Sequence, residues 1–313
     1  MPLQDKKPPL VVIVGPTAVG KTEIAIDVAE HWNGEIVSAD SRLFYRGMDI
    51  GTAKPSLEQR SRVVHHLIDV ADPDEVWSLA VFQRGAERAI ADIHARGKLP
   101  ILVGGTGQYV RAVTEGWVPP KLAAQPLLRA ALESWSDEIG KEGLHNRLAV
   151  IDPDSAASID LRNQRRTLRA IEVTLATGRK FSDQRLKKQS PYRVLQVGLT
   201  RSRPDLYKRL DARIEGMLEA GWLDEIRDLL AKGYEPSLPS LSAIGYAQLI
   251  EHLQGRLTLA EAVAEIKRAT RLFVRRQANW FKPNDPYIHW VNLEHADAEE
   301  KITKLVGNFL QIS

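Results

Sequence analysis

The octet Gly-Pro-Thr-Ala-Val-Gly-Lys-Thr at residues 15–22 constrains the fold more than any other feature of the sequence. It matches the pattern G-x-x-x-x-G-K-[ST], and it directly follows an apolar run at 10–14. An octet of this kind between a strand and a helix forms a loop whose backbone N–H groups hold phosphate at the helix N-terminus. We therefore predict a buried strand at 10–14, a helix at 22–32 and a bound di- or triphosphate between them.

Each residue type in the octet suits phosphate. The amides of residues 18–22 form an anion nest, Lys21 neutralises phosphate oxygens, and the Thr22 hydroxyl is a ligand for Mg²⁺. The expected phosphate-binding residues are Gly15, Pro16, Thr17, Ala18, Val19, Gly20, Lys21 and Thr22. The octet leaves the reaction open.

Most such loops hold ATP or GTP, and a strand that ends in a metal-binding Asp normally accompanies them. Here the clearest buried strand, at 99–103, ends in Gly104 and Gly105. Asp69 is the other candidate, but it falls in the middle of a strand that we predict at 64–70. These features disfavour a nucleotide hydrolase without excluding one.

Short apolar runs alternate with helical patterns through residues 1–118, which is typical of βα units around a parallel sheet. At Val118-Pro119-Pro120 the sequence becomes helical and charged, with no strand pattern before residue 192. We predict an α/β fold with a P-loop-type parallel sheet core flanked by helices, and a helical insertion domain. The predicted parts are the first part of the core at 1–118, the insertion at 119–190 and the second part of the core at 191–313. The other predicted elements are strands at 35–39 and 192–199 and helices at 80–96, 205–232 and 259–281.

Composition narrows the chemistry. The 313 residues include no cysteine, which excludes disulfides, thiolate nucleophiles and cysteine-ligated zinc. The longest apolar runs are far shorter than the ~20 residues that cross a bilayer, and the N-terminus lacks the apolar region of a signal peptide. We therefore expect a cytoplasmic protein with no membrane partner.

Asp40 comes directly after the predicted strand at 35–39. Ligands of parallel sheets bind outside the carboxyl ends of the strands, so Asp40 is expected close to the phosphate loop. A carboxylate in this position suits a general base or a metal ligand. The alternative is a surface Asp that caps the following turn.

Several further blocks carry a family resemblance. They are SADSR at 38–42, YRGMDIGTAKP at 45–55, HHLID at 65–69, GGTGQY at 104–109, QRR at 164–166, AIGY at 243–246 and RRQANWF at 275–281. With the octet, they are collinear over nearly the whole chain. The sequence resembles the tRNA dimethylallyltransferase (isopentenyltransferase, IPP transferase) family, and the absence of cysteine fits its bacterial members, which lack the zinc finger of eukaryotic ones.

The resemblance implies transfer of the dimethylallyl group from dimethylallyl diphosphate to the exocyclic N⁶ amine of the adenosine 3′ to the tRNA anticodon. Diphosphate departs, Mg²⁺ assists and the enzyme acts as a monomer. The implied catalytic residues are Asp40 as base, Thr17 near the bridging oxygen and Arg213 at the leaving group, with Thr22 at the metal. Without the resemblance, Arg213 reads as a surface partner of Asp211, Glu215 or Glu219.

The resemblance also implies contacts with the anticodon stem-loop of the tRNA. The expected tRNA-binding residues are Asp40, Ser41, Arg42, Leu43, Thr106, Arg129, Gln164, Arg165, Arg166, Thr167, Leu168, Arg275, Arg276, Gln277, Ala278, Asn279, Trp280, Phe281 and Lys282. Leu43 and Gln108 depart from residues common in the family, Gln and Leu, so local contacts to base or prenyl group differ there.

Two basic clusters support RNA binding. Nine Lys or Arg stand against two acids at 162–188, and six stand against Glu265 alone at 265–282. A solvated helix face is the alternative for each cluster. In the second cluster, Ile266, Phe273 and Trp280 recur every seven residues and predict a buried stripe.

Two other functions fit the same octet. The first is a small-molecule phosphotransferase in which the insertion is a lid and Arg165, Arg166 and Arg169 clamp phosphate. The second is a non-catalytic RNA-binding ATPase that uses the basic faces for adhesion.

Overall fold

The computed structural model describes residues 7–120, 122, 125–184, 186–187 and 189–311. Two members of the first basic cluster, Arg185 and Lys188, lie outside the described residues. Within them the chain divides into two compact units. The core unit runs up to Thr114 and resumes at Ser190, and the insertion unit is Glu115–Gln189.

A six-stranded parallel sheet organises the core unit, with the strand order β3-β2-β4-β1-β7-β8. A two-stranded antiparallel ribbon, β5 with β6, belongs to the insertion unit. The strands are β1 (Pro9–Val14), β2 (Gly34–Ser38), β3 (His65–His66), β4 (Leu99–Gly104), β5 (Trp117–Val118), β6 (Leu186–Lys187), β7 (Arg193–Thr200) and β8 (Ile288–Asn292). The predicted α/β fold with a parallel sheet is confirmed. We predicted no strand from the change in the sequence near Val118 up to residue 192. This prediction is wrong, because β5 and β6 pair within the insertion unit. Each has only two residues, too few to show a pattern in the sequence.

The helices of the core unit flank this sheet or pack beside it. They are α1 (Lys21–His31), α2 (Leu57–Arg62), α3 (Leu79–Ala95), α4 (Gly107–Thr114), α9 (Arg203–Glu219), α10 (Trp222–Ala231), α11 (Tyr246–Leu253), α12 (Leu259–Gln277) and α13 (Ala298–Gln311). Those of the insertion unit are α5 (Pro126–Ile151), which is interrupted at Gly140, α6 (Pro153–Ser158), α7 (Gln164–Thr177) and α8 (Phe181–Gln184). No helix among the described residues is long and apolar enough to cross a membrane.

Strand β1 lies at the centre of the sheet and is buried on both faces. Val11 and Ile13 belong to one apolar cluster with residues of α1, and Leu10, Val12 and Val14 belong to the opposite cluster with residues of α3 and α4. Helices on both faces explain why the strand reads as a continuous apolar run. The central position of β1 places the phosphate loop at the middle of the carboxyl edge.

The strand predicted at 64–70 is wrong beyond His66. Leu67 and Asp69 adopt left-handed backbone conformations with φ of 62° and 55°, which a strand does not accommodate. The Asp69 carboxylate accepts from Lys54 Nζ at 2.6 Å and from Arg60 Nη1 at 2.7 Å. Asp69 therefore stands in a turn that ion pairs fix.

Two predicted helices also differ from the structure. The segment 205–232 forms two helices, α9 and α10, because Gly221 adopts φ of 95° between them. Helix α12 ends at Gln277, and Phe273 is 39% exposed, so the seven-residue stripe is wrong. The residues that α12 buries are Ala262, Ile266 and Gln277. Ile266 and Gln277 share a face because eleven residues are close to three helical turns.

The block at 45–55 folds around two charged side chains, Lys54, which is buried, and Glu225, which is half-buried. The Lys54 side chain is 1% exposed and donates to the Tyr45 carbonyl at 2.9 Å, to Asp69 and to Asp49. The Glu225 carboxylate of α10 accepts from the amides of Asp49, Ile50 and Gly51 at 2.7, 2.6 and 3.2 Å, and from the Tyr246 hydroxyl at 2.6 Å.

These bonds join the loop after β2 to α10 and α11. A Cβ at Gly51 would lie 1.9 Å from Trp222 Nε1, and one at Gly245 would lie 2.0 Å from the same indole ring. The most distinctive block of the sequence is therefore a structural junction that holds the loop carrying Asp40.

The insertion unit has its own apolar core, which includes Leu132, Leu144, Leu148 and Leu168. Glu172 of α7 is buried in this unit and pairs with Arg129 of α5 and with Arg169 at 3.0 Å. The two arginines compensate a carboxylate that would be costly to bury alone.

Candidate active site

The phosphate loop joins β1 to α1 through a backbone that needs small residues. Gly15 and Gly20 have φ of 149° and 114°, and Ala18 has φ of 63°. A Cβ at Gly15 would lie 2.6 Å from the Leu199 carbonyl oxygen of β7. Since α1 begins at Lys21, the positive end of its dipole faces the loop.

Side chains from distant elements hold the loop on its outer side. Arg209 Nε of α9 donates to the Ala18 carbonyl at 3.0 Å, and Arg201 Nε donates to the Val19 carbonyl at 3.0 Å. Because a trans peptide directs its N–H opposite to its C=O, the Gly20 amide points away from Arg201. The two arginines thus fix the carbonyls of Ala18 and Val19 and leave the Gly20 amide directed to the opposite side.

Lys21 lies at the centre of the site. Its Nζ donates to the carbonyls of Gly15 at 3.1 Å and Pro16 at 2.8 Å. Burial lowers the pKa of Lys21 to about 8, while the charge of Asp40 raises this pKa and the charge of Arg213 lowers it further. The structure therefore brings Lys21, Asp40 and Arg213 within electrostatic reach of one another.

Two of the three acids considered as partners of Arg213 pair with other cations. Asp211 pairs with Arg271 at 2.6 Å, and Glu215 pairs with Lys267 at 2.8 Å. The side chain of Arg213 is exposed to solvent. It is accordingly accessible to an anion at the phosphate loop.

Asp40 both caps a turn and lines a cavity. Its Oδ1 accepts from the Arg42 amide at 3.0 Å, so the turn-capping alternative also holds. The cavity has a polar side that comprises Lys21, Thr22, Ser38 and Asp40. Its other lining residues are Ala25, Ile36, Leu43, Pro55, His65, Ile68, Val103 and Gly104. One compartment thus combines an ammonium group, a hydroxyl group, a carboxylate and apolar walls.

Residues beside Asp40 occupy several environments. Leu43 lines the cavity, and Ser41 is half-buried. Arg42 Nη1 donates to the carbonyls of Pro239 and Ser240, both at 3.1 Å, and so ties this loop to the segment before α11. Thr106 is half-buried, and its carbonyl accepts from the amides of Tyr109 and Val110 at the start of α4.

The RRQANWF and GGTGQY blocks pack against each other. A Cβ at Gly105 would lie 2.2 Å from Gln277 Nε2, and one at Gly107 would lie 2.3 Å from Trp280 Cβ. Arg111 Nη2 donates to the Trp280 carbonyl at 2.9 Å, with its guanidinium 5.7 Å from the indole centroid. The glycines of the second block make room for the side chains of the first.

This packing corrects part of the predicted RNA-binding set. Gln277 and Phe281 are buried within the core unit, where their side chains contact protein and are not available to RNA. Trp280 is half-buried. The exposed residues of this segment are Arg275, Arg276, Ala278, Asn279 and Lys282.

The insertion unit needs a similar correction. Thr167 and Leu168 are buried in its core, because they lie on the inner face of α7. Arg165 is exposed, Arg166 is half-buried, and Gln164 Nε2 donates to Ser136 Oγ at 2.7 Å. Arg129 and Arg169 are anchored by Glu172. Arg165 is therefore the most accessible of the predicted contacts in this unit.

Four residues at or behind the site were not predicted from the sequence. Ser38 and His65 line the cavity, and Arg201 and Arg209 support the loop. His65 Nδ1 lies 2.8 Å from the Val63 carbonyl, whereas its buried Nε2 has no partner among the described residues. Arg201 directly follows β7, so the strand-end rule that found Asp40 would also have found it.

A parallel sheet, a phosphate loop after its central strand β1 and a carboxylate after β2, which β4 separates from β1, define a P-loop protein that binds phosphorylated ligands. The profile of the IPP transferase family matches residues 43–284. The chain belongs to the IPP transferase family.

Individual relatives agree with this assignment. The chain is 51% identical to the tRNA dimethylallyltransferase of Roseiflexus sp. (strain RS-1), over 96% of this chain and 99% of that protein. It is 45% identical to the tRNA dimethylallyltransferase of Thermomicrobium roseum, over 98% of this chain and 93% of that protein. The crystal structure of the full-length tRNA isopentenylpyrophosphate transferase from Bacillus halodurans aligns with a TM-score of 0.73 and 40% identity, over 97% of each chain.

Proposed function

We propose that this chain transfers the dimethylallyl group of dimethylallyl diphosphate to the exocyclic N⁶ amine of the adenosine 3′ to a tRNA anticodon. The observation that carries this proposal is that Lys21, Thr22 and Asp40 line one cavity together with apolar side chains. An anion site beside apolar surface suits an allylic diphosphate. A carboxylate in the same cavity suits an acceptor that must lose a proton.

In the reaction the N⁶ nitrogen bonds to the allylic C1 while the bond from C1 to the bridging oxygen breaks. The electron pair of that bond leaves with diphosphate, and the proton of the amine moves to an Asp40 carboxylate oxygen. The adenine lone pair is delocalised into the ring, so removal of the proton matters to the rate. Proton transfer to a positioned base is typically worth ~10²–10⁴-fold.

The phosphate loop stabilises the charge that develops on the leaving group. The loop amides, Lys21, Arg213 and the Thr17 hydroxyl surround the diphosphate in this proposal. Lys21 Nζ exchanges the carbonyls of Gly15 and Pro16 for phosphate oxygens when the donor binds. Donors placed in advance around developing charge usually supply a large part of catalysis, and one of them can contribute roughly 3 kcal/mol.

Mg²⁺ fits this site as a metal that the donor helps to hold. The described residues contain no cluster of three or more His, Asp or Glu side chains that would hold an ion alone. Mg²⁺ commonly binds through one or two protein groups plus substrate phosphates, and the Thr22 hydroxyl in the cavity provides such a group. The ion would neutralise part of the diphosphate charge.

The acceptor base must leave its stack in the anticodon loop to reach Asp40, as in other enzymes that modify bases. The exposed cations Arg275, Arg276 and Lys282 of the core unit are proposed to contact tRNA phosphates, and so is Arg165 of the insertion unit. We further propose a cytoplasmic monomer, in keeping with a tRNA substrate and with the resemblance.

The direct test supplies isotopically labelled dimethylallyl diphosphate and an unmodified tRNA transcript to the purified protein. Prenylated adenosine and an equal amount of diphosphate are the expected products. A protein that consumes ATP and ignores the allylic donor would contradict the proposal and favour a phosphotransferase or an RNA-binding ATPase.

Charge reversal at Arg165 tests the RNA contact of the insertion unit. Arg165→Glu is expected to weaken tRNA binding, and to reduce the slope of log K against log salt by about 1 if one phosphate contact is lost. The measurement is a tRNA titration at several salt concentrations. Arg147→Glu, an equal charge change at an exposed site of α5, is the matched control. Equal effects of the two variants would return Arg165 to the solvated-face alternative.

A further inference from the structure

We propose that Gln277 is a positioning residue that makes the binding of donor and acceptor interdependent. It fixes the phosphate loop from within the segment that is proposed to contact tRNA. This inference rests on the proposed function for the identity of the acceptor. It assigns Gln277 a role other than the RNA contact that the sequence predicted.

The Gln277 side chain bridges two loops of the site. Its Oε1 accepts from the Thr17 amide at 3.0 Å, and its Nε2 donates to the Gly105 carbonyl at 3.1 Å. The residue is 5% exposed, so water competes little for either bond. The oxygen and the nitrogen of one buried side-chain amide therefore form hydrogen bonds with the two turns that follow β1 and β4.

The location of Gln277 connects the phosphate loop to the segment that is proposed to contact tRNA. Gln277 is the last residue of α12, and it points inward between the exposed residues Arg275, Arg276, Ala278 and Asn279. Three residues later, Trp280 packs against Gly107 and accepts from Arg111. A shift of this segment on contact with RNA must therefore move the side chain that holds the Thr17 amide.

The bond to Thr17 acts where the donor is bound. Arg201 and Arg209 hold the carbonyls of Val19 and Ala18. Among the described residues, the Thr17 amide is the one amide of the loop that donates to a side chain, and that side chain is Gln277. Without Gln277, the Thr17 amide and the Gly105 carbonyl lose their partners, and the loop relaxes to satisfy them. A loop that has relaxed must be reordered each time diphosphate binds.

Thermodynamic linkage makes the effect of tRNA on diphosphate affinity a measure of this arrangement. If tRNA orders the segment that carries Gln277, tRNA tightens diphosphate binding, and diphosphate tightens tRNA binding by the same factor. Coupling of this kind is typically about 5–150-fold, and we expect about tenfold here. The coupling factor separates a positioning role from a contribution to stability alone.

The experiment compares the wild type with Gln277→Leu, an apolar replacement that removes both hydrogen bonds. Gln83→Leu is the matched control. Gln83 is also a buried glutamine of the core unit, and its amide donates to Glu87 at 2.9 Å and to the Ala112 carbonyl at 3.3 Å. The affinity of each protein for inorganic diphosphate is measured by calorimetry, with and without an unmodified tRNA transcript. The temperature is kept below the melting temperature of each protein.

Gln277→Leu is expected to weaken diphosphate binding about tenfold and to abolish the effect of tRNA on it, whereas Gln83→Leu preserves both. A wild type without coupling, or a Gln277→Leu variant that couples like the control, would overturn the proposal. Neither reading requires an allylic donor. Failure of the proposed function appears separately, as wild-type protein that forms no prenylated adenosine.

Discussion

Replacement of Asp40 by Asn is expected to lower turnover by about 10²–10⁴-fold, the usual contribution of a positioned proton acceptor. Asn retains an oxygen at the position of Oδ1, which accepts from the Arg42 amide at 3.0 Å, so the loop should keep its conformation. It cannot take up the proton of the amine. The loss should therefore appear in the rate of a single turnover, with tRNA affinity within about twofold of the wild type.

The pH of this assay matters because Asp40 also acts on Lys21. The Asp40 charge raises the pKa of Lys21, so its loss lowers that pKa below about 8 and reduces the charged fraction near this pH. Repeating the assay at decreasing pH restores the charge of Lys21 and isolates the loss of the base. Asp72→Asn, which removes a half-exposed carboxylate paired with Arg46, is the control. A near-normal rate in Asp40→Asn would remove Asp40 from the role of base.

Local rules predicted much of the site. The strand, octet and helix are contiguous, so the phosphate loop follows from sequence alone, and the strand-end rule placed Asp40 beside it. The structure puts Lys21, Thr22 and Asp40 on one cavity. Arg213 came from the resemblance alone, since its helix pattern favoured a surface ion pair.

The features that could not be predicted depend on contacts between residues far apart in the sequence. Thr17 and Gln277 are 260 positions apart, and Gly105 and Gln277 are 172 apart, so no local pattern connects them. The same limit applies to Phe273, whose place in a seven-residue repeat indicated burial while the fold leaves it 39% exposed. Asp69 was misplaced because its left-handed conformation depends on Lys54 and Arg60, which contact it only in the folded chain.

The block at 45–55 shows how a distinctive motif can serve structure rather than chemistry. Its length and unusual composition supported the family resemblance, yet its Lys54 is buried in ion pairs and its amides bind Glu225. The junction fixes the far end of the loop that starts at Asp40. A motif of this kind identifies the family reliably and misleads when each of its residues is taken as a contact with substrate.

Diphosphate binding is expected to weaken above pH 8 because Lys21 loses its proton there. Burial lowers the pKa of Lys21 to about 8, so the ammonium form dominates below this pH and the neutral amine dominates above it. Only the charged form neutralises a phosphate oxygen. The dissociation constant should therefore rise about tenfold for each pH unit above the pKa, until the higher pKa of Lys21 in the complex is reached. Titration with inorganic diphosphate from pH 6 to pH 10, without added metal, measures this limb.

Two substitutions separate Lys21 from the titration of the ligand. Lys21→Met removes the charge at every pH, so the ratio of its dissociation constant to that of the wild type cancels the protonation of diphosphate itself. That ratio should be about 10²-fold or more near pH 7, given roughly 3 kcal/mol for one donor at a developing anion, and it should fall towards 1 by pH 10. Lys21→Arg keeps its charge throughout this range, since the pKa of arginine lies above 12, and should lack the alkaline limb. A ratio that stays constant across the range would show that the Lys21 charge does not hold the diphosphate, which would then be held by the loop amides, the Thr17 hydroxyl and Arg213.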